Sequence, residues 1–126
     1  MPRKDEIKLS PAEWELMRIS WQKGKSTARV IYEASLQEKE RGYQTIKTML
    51  DRLVEKGVLR RERFGPLWLY EARISQEKAT ATAIDRFVHT VLDGAVAPLF
   101  AHFVRSKQLS AEEIEQLKAL IDKEES

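Results

Sequence analysis

Cysteine is missing from all 126 residues, which excludes disulfides, thiolate metal sites and thiol nucleophiles. Glycine and proline are scarce, at five and four residues, so the text favours helices over a loop-rich fold. No apolar run approaches the roughly 20 residues that cross a bilayer. The first residues, Met1-Pro2-Arg3-Lys4-Asp5-Glu6, lack the apolar segment of a signal peptide, so a cytoplasmic protein with no membrane partner is expected. His89 and His102 are the only histidines. They fall on different predicted helices without flanking ligands, so no metal site is expected. The sequence offers no nucleophile-base constellation and no Gly-rich phosphate loop, so neither an enzyme nor a bound cofactor is expected.

Charge of one sign is also wanting, since the net is only +2. The distribution says more. Residues 1–73 carry 16 Lys/Arg against 11 Asp/Glu, net +5, and residues 74–126 carry 6 against 9, net −3. A basic front and an acidic back divide the chain into two regions with different partners, the front suited to a polyanion.

What is present is organised around Tyr43 to Gly57. Ile46, Met49, Leu50, Leu53 and Val54 recur at helical spacing and make one apolar stripe. Gln44, Thr45, Lys47, Thr48, Asp51 and Arg52 line the other side, and Gly57 is a C-terminal stop. Upstream, Ser10-Pro11-Ala12-Glu13 is a capping box with Pro at the first helical position. It opens a helix to about Lys23 whose Trp14, Leu16, Met17, Ile19 and Trp21 are core. Ser26 or Thr27 caps a second helix to about Gln37, with Val30, Ile31, Ala34 and Leu36 as its buried stripe. Downstream, Val58–Phe64 and Leu67–Ala72 read as two strands around a Gly65-Pro66 turn. Helix, polar connection, helix and basic hairpin make a winged helix-turn-helix.

The chemistry of the exposed side suits DNA. Gln44 and Arg52 can form bidentate pairs with adenine and guanine edges, and Thr45 and Thr48 can donate, accept or touch a thymine methyl. Tyr43, Lys47, Arg60, Arg61 and Arg63 are the expected contacts to the DNA backbone.

After Ser75 three more helices are expected: Gln76 to Asp93, Ala95 to about Arg105, and one opened by the capping box Ser110-Ala111-Glu112-Glu113. Their apolar stripes exceed what some 50 residues bury alone. Ile84, Phe87, Val91, Leu99, Phe100, Phe103, Leu117 and Ile121 are therefore expected to hold a homodimer. The predicted architecture is mainly α with a small β-hairpin: a winged helix-turn-helix over residues 1–73 and a helical dimerisation domain over 74–126.

Trp14-Glu15-Leu16-Met17 with Trp21, Thr45-Ile46-Lys47-Thr48-Met49-Leu50 with Arg52-Leu53, Glu55-Lys56-Gly57, and Gln108-Leu109-Ser110-Ala111-Glu112-Glu113-Ile114 together resemble the penicillinase repressor family (BlaI/MecI/CopY type). The resemblance covers nearly the whole chain. It implies a dimeric transcriptional repressor on a pseudo-palindromic operator, with DNA contacts carried over onto Thr45, Thr48 and Arg52. Gln44 stands at a Lys position of familiar members and Lys47 at a Gln position. The wing has Pro66 where the family often has a basic residue after the tip Gly. It also implies release through a sensor-linked protease that cuts the dimerisation region in response to β-lactam or cell-envelope signals. The pair matching the family's Asn-Phe bond is His102-Phe103. The copper-responsive branch depends on a Cys cluster that this chain lacks. Two rival readings stand beside this one: a regulator switched by a small ligand held among the C-terminal helices, and a winged-helix protein-interaction module with no DNA role.

Overall fold

The computed structural model describes the backbone of residues 8–106 and 108–125 and the side chains through Leu120 apart from residue 107. The order of elements is α1 (Pro11–Lys23), β1 (Ser26–Thr27), α2 (Ala28–Ser35), α3 (Tyr43–Glu55), β2 (Leu59–Phe64), β3 (Leu67–Ala72), α4 (Gln76–Val91), α5 (Ala97–Arg105) and α6 (Ala111–Glu125). Helices with one small antiparallel sheet are the class that the sequence predicts. The chain divides into two compact units, one through Ile84 and one from Asp85 onward. The division falls inside α4.

In the first unit the helices pack by their apolar stripes. Leu16 and Met17 of α1, Ile31 of α2, and Ile46, Leu50 and Leu53 of α3 are fully buried, with Val58, Leu59 and Tyr70 beside them. Trp14, Ile19 and Trp21 close the edge, and Trp21 Nε1 donates to the Ile74 carbonyl at 2.8 Å.

The α1 start is the capping box that the sequence predicts. Ser10 Oγ accepts from Glu13 N at 3.1 Å and Ser10 N donates to Glu13 Oε1 at 2.9 Å. Ser10→Ala should cost about 1 kcal/mol, measured as a lower urea midpoint with an unchanged slope.

The sheet has order β1-β3-β2. Its hairpin register pairs Arg61 with Tyr70 and Arg63 with Trp68. The turn between β2 and β3 is Gly65-Pro66, with φ 60° at Gly65. A glycine at positive φ followed by a residue fixed near −65° meets the demand of a II′ hairpin turn. Strand β1 is an addition to the sequence reading. Ser26 and Thr27 pair with Tyr70 and Leu69, while Thr27 also caps α2 by accepting from Val30 N at 3.3 Å.

Helix α2 is shorter than predicted. It ends at Ser35, and its buried face is Ala28, Ile31 and Ser35, whereas Val30 and Leu36 are exposed. The stripe is rotated because β1 fixes the chain entering α2 and turns Ala28 inward.

In the second unit, α6 opens on its own capping box, with Ser110 Oγ accepting from Glu113 N and Ser110 N donating to Glu113 Oε1, both at 3.1 Å. No helix among the described residues is long and apolar enough to cross a membrane.

Candidate nucleic-acid interface

Helix α3 presents three stripes, and each has a different job. Ile46, Leu50 and Leu53 face the core and are fully buried. Gln44, Thr45, Thr48 and Arg52 lie on the far side and are exposed. Their spacing stacks them along one ridge of the helix. Among the described residues their side chains hold no hydrogen bond or ion pair. Four polar side chains stand in a row on one helix, with their donors and acceptors unused by the described residues.

The third stripe, Lys47 and Asp51, faces the hairpin. The Asp51 carboxylate accepts from Tyr70 Oη at 2.7 Å, Lys47 Nζ at 3.1 Å and Arg61 Nη1 at 3.1 Å. Lys47 Nζ also donates to Tyr70 Oη at 2.9 Å. Burial pushes the Asp51 carboxyl up, but the hydrogen bonds from Tyr70 and Lys47 and the Arg61 charge outweigh it and hold it low. Lys47 moves the other way, raised chiefly by the Tyr70 hydroxyl. Tyr70 itself is raised, first by burial.

The expected backbone contacts are sorted by the pleat. Arg61 and Arg63 share the face of the hairpin that meets α3, and their guanidinium carbons stand 4.7 and 5.1 Å from the Trp68 ring centre. Arg60 lies on the opposite face, in an ion pair with Glu71. Tyr43 is half-buried at the start of α3. Its ring meets Tyr32 edge-on at 5.5 Å, and the Arg29 guanidinium lies 4.7 Å above it.

Sequence reasoning missed Arg29. It sits in the first turn of α2, exposed, resting on two tyrosine rings. Its signal is weak, because the ring that completes the stack comes from another helix.

A second omission is what grips α3. Two carboxylates of α1 hold its ends. Lys56, the C-cap residue, donates to both Glu13 oxygens at 2.8 Å. Arg41, just before the N-cap Gly42, pairs with Glu15 at 2.9 Å in a nearly dry setting, with side chains 13% and 8% exposed. Lys56 is thus tied to α1 and turned from the free ridge.

Burial raises both acids, yet the hydrogen bonds from Lys56 and Ser10 to Glu13, and from Arg41 to Glu15, leave each below the ordinary carboxylate range. A lowered pKa in the folded state gives stability that is present above the unfolded value and lost as pH falls through the folded one. Thermal midpoints should therefore be flat from neutrality to about pH 5 and fall below roughly pH 4. Glu13→Gln should flatten that decline.

The dimerisation candidates fall into two groups. Ile84, Phe87 and Val91 recur along α4 and are 54%, 41% and 62% exposed. Leu99, Phe100, Phe103 and Leu117 are half-buried. Ile121 lies on α6, but its side chain is outside the described residues. Val96, Val104 and Leu120 add further exposed apolar surface. His102 and Phe103 sit inside α5, ring centres 5.7 Å apart. A depression of about 350 Å³ beside them is lined by Pro98, Ala101, His102, Arg105 and Ser106. All five come from α5 and its cap.

The penicillinase repressor family model matches residues 9–123. The methicillin resistance regulatory protein MecI of Staphylococcus aureus (strain N315) is 30% identical over 115 residues, covering 91% of this chain and 94% of the relative. The penicillinase repressor of Bacillus licheniformis is 30% identical over 115 residues, covering 90% and 89%. Among solved structures, the DNA-binding domain of the repressor BlaI superposes with a TM-score of 0.52 at 28% identity, over 60% of this chain and 90% of that one. Monomeric Bacillus licheniformis BlaI in complex with the blaP half-operator gives 0.50 at 27%, over 56% and 87%.

Proposed function

Because the chain belongs to the penicillinase repressor family, we propose that it silences transcription as a homodimer on a pseudo-palindromic operator. The carrying observation is the free ridge of α3. Gln44, Thr45, Thr48 and Arg52 enter the major groove and read bases, while the core stripe of the same helix fixes their depth. That the relative BlaI was solved in complex with the blaP half-operator supports duplex DNA as the partner here.

Arg61 and Arg63 of the wing, Lys47 beside them, and Tyr43 with Arg29 at the start of α3 meet phosphates on either side of the groove. Arg60 reaches DNA only by giving up Glu71. Residues 74–126 join the subunits through Ile84, Phe87, Val91, Leu99, Phe100, Phe103, Leu117 and Ile121. Catalysis has no part in this reading. A repressor works where its operator is, so the cytoplasm is its place.

Relief follows loss of the dimer. The bond between His102 and Phe103 is the candidate cut for a sensor-linked protease. It lies within the helix Ala97–Arg105, so cleavage requires α5 to open locally first.

Selection of binding sites from random duplex DNA tests partner, symmetry and spacing together. The expected product is an inverted repeat whose half-sites lie about one helical turn apart or a multiple of it. Enrichment of no sequence, with no salt dependence of binding, would instead support an interaction module without a DNA role.

A further inference from the structure

Asp51 is an acid on the helix offered to a polyanion, and it stands among the cations that would meet phosphates. Its carboxylate takes hydrogen bonds from Lys47, Arg61 and Tyr70. The Tyr70 side chain is fully buried, so its hydroxyl is fixed and the carboxylate is fixed with it. Lys47 and Arg61 therefore share one internal counter-charge, anchored by the Tyr70 hydroxyl.

Building on the DNA-binding reading, we propose that Asp51 is a specificity-determining residue that acts without touching a base. It restrains the charge that Lys47 and Arg61 offer to any duplex. Non-specific binding is driven by phosphate neutralisation and counterion release, regardless of sequence. A phosphate that recruits Arg61 must compete with Asp51 at 3.1 Å. On a random duplex nothing offsets that competition. On the operator, base contacts from the free ridge hold the helix in register and bring a phosphate to Arg61 at a fixed place. Asp51 thus weakens binding to the wrong sequence more than to the right one, which is how a difference in affinity is built by penalising competitors. Its carboxylate also joins α3 to β2 and β3 at one point, so the wing approaches the duplex at a set angle.

The test is a salt titration of operator and scrambled duplexes with the full chain and its Asp51→Asn variant. Asparagine keeps the size of the side chain and its acceptor for Tyr70 but lacks the charge. The expected result is about tenfold tighter binding to the scrambled duplex at low salt, and a slope of log K against log salt steeper by about one to two. The ratio of operator to scrambled affinity should fall. A cycle with Arg61→Gln gives a second readout. On the scrambled duplex it should change the slope by much less than one in the wild-type background and by about one in the Asp51→Asn background. A slope unmoved by Asp51→Asn, or equal weakening on both duplexes with a lower melting point, would mean a purely structural carboxylate and overturn the proposal. A wild-type chain that binds neither duplex would overturn the DNA-binding reading itself, an outcome distinct from wild-type binding with an unmoved slope.

Discussion

Replacing Phe87 and Val91 together by Glu should turn the repressor into a folded monomer that binds its operator some 10²–10⁴-fold more weakly. Both side chains are largely exposed on α4, at 41% and 62%, so the change leaves the first unit's core intact. Large apolar residues grouped on a surface mark a contact site, and two carboxylates per subunit would bring like charges face to face there. The size of the effect follows from bivalency. When one subunit is seated, the other binds at a high effective concentration, and losing that link forfeits about two to four powers of ten. This is about 3–5.5 kcal/mol. Sedimentation should give the mass of a single chain, and a half-site duplex should bind variant and wild type equally. That second measurement separates lost pairing from simple repulsion of DNA by the added charge. A variant that remains dimeric would remove these two residues from the interface.

Helix α3 was legible because its periodicity is strong and long. Ile46, Leu50 and Leu53 return at intervals of four and three, and they are the residues the fold buries. The hairpin was legible from its Gly65-Pro66 punctuation. Strand β1 was not, for a simple reason: two residues have no period, and Ser26-Thr27 reads first as cap chemistry. The rotation of α2 follows from the same omission, because the strand turns Ala28 inward and Val30 outward.

The division of α3 into three stripes was also hidden. Sequence alone separates apolar from polar, and it groups Lys47 and Asp51 with the free ridge. Only the folded hairpin, bringing Tyr70 from 19 residues away in sequence, assigns them to the wing. Glu13 and Glu15 escaped for a related reason. Acids are placed outside by default, and their partners Lys56 and Arg41 are distant along the chain. What periodicity cannot carry is the pairing of charges across elements, and here such pairing ties α3 to α1 at both ends.

Arg52→Ala should weaken operator binding by about 1–3 kcal/mol and relax the preference at one position of each half-site. Arg52 is exposed on the last turn of α3 and holds no partner among the described residues. The folded protein therefore loses no contact by its removal, and stability should be unchanged within about 0.5 kcal/mol. The whole loss then belongs to the DNA complex. A guanidinium that reads guanine by two parallel hydrogen bonds discriminates; one that only meets a phosphate does not. Arg61→Ala supplies the contrast. Its guanidinium is engaged by Asp51 and Trp68, beside the ridge rather than on it, so its removal should lower affinity by a smaller factor shared by the operator and its single-base variants. Competition binding against a panel of single-base operator variants distinguishes the two. For Arg52→Ala the panel should collapse at one position while the other positions keep their penalties. For Arg61→Ala every affinity should shift together. If Arg52→Ala instead shifts all operators equally, the ridge of α3 lies along the backbone, and the groove must be read by other residues.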